Sequence, residues 1–155
     1  MMTVLRRLLL LVTLMFWQGG FMFYGAVVVP VGSEVLGSHL EQGFITRSVT
    51  NYLNMAGAVA LAAWGWDVAT ERGSTQRKRR LRWFLWSLLV LMLCSLAWLH
   101  LRLDELLDVE AFRILDRPRY RTLHQWYLIV STVQWAGAVL MAALTIRAWR
   151  DADAV

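Results

Sequence analysis

The 155 residues include a single cysteine, two prolines and only 17% charged side chains. A soluble globular chain carries about 25% charged residues. The lone Cys94 excludes an internal disulfide and every zinc-type cysteine spacing, and within an apolar run it reads as a small core residue. With one exception near residue 30, proline is missing from the apolar stretches, so nothing there forbids long helices. No phosphate-binding glycine loop, nucleophile elbow or intramembrane carboxylate pair is present, which leaves the common enzyme chemistries without a sequence anchor.

What is abundant is apolar sequence. Hydrophobic residues make up 58% of the chain, and the mean hydropathy is +0.47. Four runs, 8–30, 51–69, 83–101 and 123–146, each approach the roughly 20 residues that a helix needs to cross a hydrocarbon core. The pattern predicts an all-α protein, a bundle of four transmembrane helices over about 8–30, 45–69, 83–103 and 123–147. It forms one integral membrane domain, 1–155, with no room for a separate soluble one. Arg6 and Arg7 ahead of a leucine run resemble a secretory signal. The run continues without an Ala-x-Ala site before Pro30, so a retained first helix is expected.

Charge orients the bundle. Arg72, Arg77, Lys78, Arg79, Arg80 and Arg82 lie between the second and third helices, on the side of Arg6, Arg7, Arg147 and Arg150. Six basic residues fall opposite: Arg47, Arg102, Arg113, Arg117, Arg119 and Arg121. Basic residues in short loops stay cytoplasmic, so both termini are expected inside a multi-pass protein of the plasma (inner) membrane. The same segregation argues against nucleic acid as the partner of a chain with net charge +5. Trp64, Trp66, Trp83, Trp86 and Trp149 fall where an inner aromatic belt belongs, and Trp17 and Trp135 fall mid-span as packing residues.

Ser38 and Glu41 have capping-box spacing, which places a helix start near His39. Leu103, Leu106, Leu107, Ala111, Ile114 and Leu115 repeat at helical spacing and predict an amphipathic helical segment in the second outer loop, broken by Asp116-Arg117-Pro118. The small residues of 56–63 and 136–143 mark helices two and four as the close inner pair. Helix three, rich in leucine, is expected to show the most surface to lipid.

Polar residues cluster toward the outer half, leaving a dry, small-residue cytoplasmic half. Arg47, Asn51 and Asn54 follow helical spacing on helix two; His124, Tyr127, Ser131 and Gln134 do so on helix four; His100 and Asp104 share a face of helix three. Two readings stand side by side. The amides and hydroxyls can be interhelical glue of about 0.6 kcal/mol each. Alternatively, these nine residues line an outward-opening polar pocket centred on His124, with Asn51, Asn54 and His100 as its neighbours. Intramembrane ionisable groups mark such sites. His39, His100 and His124 are the candidate ligands if the cofactor is copper, zinc or haem, since imidazole suits those metals. Their spacing matches no established metal motif.

Trp17-Gln18-Gly19-Gly20 with Val27-Val28-Val29-Pro30, the segment 43–54, and the stretch Arg119-Tyr120-Arg121-Thr122-Leu123-His124-Gln125-Trp126-Tyr127 resemble the transmembrane protein 205-like family. The resemblance covers most of the chain and implies the four-helix plan; it supplies no reaction. Tyr127 stands where the family pattern has a serine, so no role of that serine carries over. A looser similarity to copper-export membrane domains implies a metal ligand. Together these readings predict a non-enzymatic membrane protein, a small-solute or metal handling component or a structural partner. It would work in the lipid bilayer as a homo-oligomer or with other membrane proteins. The alternative is a haem- or copper-binding protein using the outer histidines.

Overall fold

A computed structural model describes residues 2–71, 75–108, 111 and 113–154, with the side chain of His39 outside that description. Four long helices account for nearly all of it. The first, α1 (Met2–Leu36), runs straight through Pro30. Proline removes one backbone donor and crowds the carbonyl four residues before it. Here a π-helical turn, Tyr24–Val28, precedes it, and Val29 N donates to Tyr24 O five residues back. The widened turn absorbs the proline without a break. Gly37, at φ 62°, ends the helix in the left-handed region that glycine occupies without strain.

Ser38 then caps α2 (His39–Thr70), its hydroxyl accepting from Glu41 N at 3.3 Å. Helix α3 spans Gln76–Asp104. Helix α4, Arg117–Asp153, is capped by Asp116, which accepts from Arg119 N at 3.1 Å, and Pro118 sits in the first turn where no donor is needed. All four helices overrun their expected limits. Charged residues such as Arg6, Arg7 and Arg77 stop an apolar run but do not stop a helix.

The amphipathic helix expected over 103–115 is not formed. Beyond Asp104 the chain makes a turn and a two-residue antiparallel pair, β1 (Leu107–Asp108) with β2 (Arg113–Ile114), Leu107 opposite Ile114. The Asp108 carboxylate accepts from Ala111 N at 3.0 Å and from Arg113 Nε at 3.1 Å. An aspartate that bonds the backbone locally offers the chain an alternative to helix, and spacing alone does not register it. Residues 109, 110 and 112 lie outside the described part.

Three helices, Met2–Leu36, Gln76–Asp104 and Arg117–Asp153, are long and apolar enough to cross a membrane. The chain is a helical membrane protein. Helix α2 is 32 residues long but less apolar, because its middle is Ala and Gly with Asn51 and Asn54, and its ends carry Glu41, Arg47 and Asp67.

Consecutive helices are the close neighbours, α1 with α2, α2 with α3, and α3 with α4. This corrects the expected pairing of helices two and four, which meet through large side chains instead. The small residues of α2 receive indoles from both sides. A methyl group at Gly57 would lie 2.9 Å from the Trp17 ring of α1, and one at Gly65 would lie 3.1 Å from the Trp86 ring of α3. The core is Leu10, Trp17, Ala60, Leu61, Trp64, Leu89, Ala138 and Met141. Helix α1 shows more surface than α3, with 17% of its most apolar window buried against 22%. Cys94 is exposed on α3 rather than in the core, on the side turned away from the other helices.

Candidate functional site

At the end of the molecule opposite the termini, the four helices splay around a cavity of about 360 Å³. Helix α1 contributes Trp17, Tyr24 and Ser33; α2 contributes Gln42, Thr46, Arg47, Thr50 and Asn54; α3 contributes His100 and Asp104; α4 contributes Tyr120, His124, Tyr127, Ser131 and Gln134. Eight of the nine pocket residues expected from sequence therefore share one cavity: Arg47, Asn54, His100, Asp104, His124, Tyr127, Ser131 and Gln134.

Asn51 does not line it and is exposed. The lining face of α2 is centred near Thr50, and one residue further rotates a side chain by about 100°. The lining positions of α2 are 42, 43, 46, 47, 50, 53 and 54, so Arg47 and Asn54 of the expected stripe share the cavity face and Asn51 falls beside it. His39 is absent from the described side chains.

The charged centre is Arg47 with Asp104. Arg47 Nε donates at 2.6 Å and Nη2 at 3.0 Å, a two-pronged contact between α2 and α3. His100 Nε2 lies 3.7 Å from Asp104 Oδ2, the oxygen that Arg47 Nη2 also engages. Deeper in, Tyr127 OH donates to Asn54 Oδ1 at 3.4 Å, and Gln134 Nε2 donates to Leu89 O at 3.3 Å. Toward α1, Gln42 Nε2 donates to Tyr24 OH, which in turn donates to Thr46 Oγ1 at 3.0 Å. His124 lines the cavity but is not its hub. Its ring stacks parallel to Tyr120, one turn earlier, with centroids 6.0 Å apart. Tyr24, Gln42, Thr46 and Tyr120 escaped the sequence reading. The four-residue rhythm Gln42, Thr46, Thr50, Asn54 was the available signal.

Among the described residues no group of three or more His, Cys, Asp or Glu side chains is placed to hold a metal ion. His100 is turned to Asp104 and His124 is stacked on Tyr120, so the copper, zinc or haem reading gains no ligand set from these two.

The termini end is not the dry half that the sequence suggested. Asp67, fully buried, takes Arg82 Nη2 at 2.7 Å, Arg6 Nε at 3.0 Å and Trp149 Nε1 at 3.2 Å. Arg82 also reaches Glu71 and donates to Thr145 Oγ1 at 3.3 Å. Trp64 Nε1 donates to the same hydroxyl at 3.0 Å, and Thr145 donates to Met141 O at 2.8 Å. That hydroxyl is saturated, with two bonds accepted and one donated. Arg7 bridges to Asp153 at 2.7 and 2.8 Å and lies over the Trp149 ring. All four helices are tied together here. Trp64, Trp86 and Trp149, expected as belt residues, serve as internal donors, with Trp86 Nε1 bonded to Leu61 O at 2.8 Å. Asp67 and Glu71, four apart at the edge of an apolar run, were the readable warning.

The arrangement is that of a helical membrane protein with a buried ion-pair network toward its termini and a polar-lined cavity at the other end. Comparison with protein-family models, with curated proteins and with solved structures finds no match for the chain.

Proposed function

We propose that all four helices cross the bilayer as one bundle, termini in the cytoplasm, and that the hollow outer half binds a small amphipathic molecule without transforming it. Its plan would be that of the transmembrane protein 205-like family, on the sequence motifs that resemble it. The observation that carries the reading is the composition of the cavity wall. Its volume of about 360 Å³ falls in the roughly 300–1,000 Å³ range of small-molecule sites, which are mainly apolar with a few placed polar groups. Trp17, Phe21, Leu53 and Leu96 supply the apolar wall, and the Arg47–Asp104 pair with His100 supplies the polar pole. Arg47 and Asp104 spend their charge on each other, which suits orienting a ligand better than attacking it. Among consecutive helices the close packing does not extend from α4 back to α1, which favours a side entrance from lipid between them. A plasma-membrane location and assembly with further copies or other membrane proteins belong to the same proposal.

Mass spectrometry of organic extracts from purified protein tests the pocket. Wild type and the exposed-site control Asn51→Phe should retain the same small amphipathic molecule, and Ser131→Phe, which fills the cavity, should lose it. Identical extracts from all three proteins would sink the binding reading. Topology is tested separately in a Cys94→Ala background with a membrane-impermeant maleimide. Ala111→Cys should label on intact cells, and Thr75→Cys only after permeabilisation; the opposite pattern reverses the orientation.

A further inference from the structure

A second cavity, of about 490 Å³, lies between α3 and α4 at the termini end. It is distinct from the outer hollow. Lys78, Arg82, Arg147 and Arg150 line it, together with Leu81, Leu144 and Ala148, and Asp151 is the one acid in its wall. The cations are not equally engaged. Lys78 Nζ is held by Asp151 at 2.7 Å, and Arg82 by Asp67 and Glu71. Arg147 and Arg150, both exposed in the last turns of α4, make no hydrogen bond or salt bridge with the described residues. Arg82 is 1% exposed, and its Nε is buried with no hydrogen-bond partner among the described residues. A buried guanidinium N–H without an acceptor leaves part of its desolvation uncompensated.

We propose that this pocket binds a phosphate group, gripped by Arg147 and Arg150, with Lys78 and Arg82 completing the cationic wall. A phosphate offers several acceptor oxygens, and guanidinium forks match them two at a time. Lys78 also stands in the first turns of α3, where the positive end of the helix dipole favours an anion. Leu81, Leu144 and Ala148 give the pocket an apolar side beside its charged one, as the head of an anionic phospholipid requires, and basic pockets between helices at the cytoplasmic membrane surface recognise such heads. Free phosphate presents the same oxygens, so the experiment separates the two sources. The inference is independent of the outer cavity.

Native mass spectrometry of the full chain in mild detergent, with equal phosphatidylglycerol and phosphatidylcholine, is the primary measurement. Wild type should retain phosphatidylglycerol selectively. Arg147→Gln with Arg150→Gln should weaken that retention about 30-fold, at roughly a factor of five for each basic residue. Arg77→Gln with Arg79→Gln, outside the pocket, should change it less than about threefold. Inorganic phosphate is the second probe. If it raises the melting temperature of wild type but not of the Arg147/Arg150 variant, with no lipid preference, the site takes free phosphate. Equal losses from the two double variants would reduce the effect to diffuse surface charge and overturn the pocket, as would selective binding of neither probe. Should the pocket variant not fold, a photoactivatable phosphatidylglycerol on wild type decides: attachment within 78–82 and 144–154 supports the site, and attachment elsewhere overturns it.

Discussion

Replacing Arg82 with Leu should cost about 3–5 kcal/mol of stability in detergent, the loss expected when one partner of a buried ion pair is removed. Asp67 is fully buried and Glu71 is 5% exposed. Without Arg82 the first keeps its salt bridge to Arg6 and the second loses the salt bridge it makes among the described residues. The two acids would then be left partly uncompensated in a region with little water. The companion result is as informative. Adding Asp67→Leu and Glu71→Leu to Arg82→Leu should recover much of the loss, because a buried charged cluster replaced by apolar side chains of similar volume is often close to neutral. Thermal or denaturant unfolding of the three proteins in one detergent measures both effects. A silent Arg82→Leu would mean that the network does not hold the helix ends together.

The second large effect concerns Gly57. Glycine to alanine inside a helix ordinarily stabilises by about 1 kcal/mol through backbone entropy. At Gly57 the added methyl would meet Trp17 Cε2 and Nε1 at 2.9 Å, and Trp17 is a core side chain only 4% exposed. Overpacking of this kind costs about 1–3 kcal/mol, so Gly57→Ala should destabilise. Gly19→Ala, where nothing lies within 4 Å, should be neutral or stabilising. Combining Gly57→Ala with Trp17→Phe removes the ring atoms that clash and should restore part of the loss. If both alanine variants gain stability, α1 and α2 are not packed through this contact.

The errors of the sequence reading have a common origin. Asn51 and Asn54 both fit a helical stripe that includes Arg47, yet of the two only Asn54 lines the cavity opposite the termini. Helical spacing defines faces to within about one residue, and the partner helix selects among them. Likewise Trp64 and Trp149 have the depth of belt residues, but Thr145 and Asp67 provide acceptors inside the bundle, and a bonded buried indole outcompetes a headgroup-level one. Leu107 and Ile114 show why short apolar periodicity misleads: over so few residues it does not distinguish a helix from a strand pair closed by an aspartate.

The sequence by itself determined that this is a helical membrane protein, because long apolar runs in lipid can satisfy their backbone only within themselves. It also determined the helix start at Ser38, a local bond between a side chain and an amide three residues on; the cap at Asp116, which the sequence reading took as a break, is the same kind of bond. It brought most of the cavity at the end opposite the termini together, since Arg47, Asp104, Tyr127 and Gln134 are polar groups that lipid would penalise. Only the tertiary structure decided that Arg6, Asp67, Glu71 and Arg82 form one buried network, that Trp17 fills the notch at Gly57, and that Arg147 and Arg150 line a pocket in which Asp151 is held by Lys78. Contacts of this kind join residues far apart in the chain, such as Arg7 with Asp153, separated by 146. Local periodicity carries no information about which of several equivalent faces meet, because that choice is made by packing between helices rather than within one.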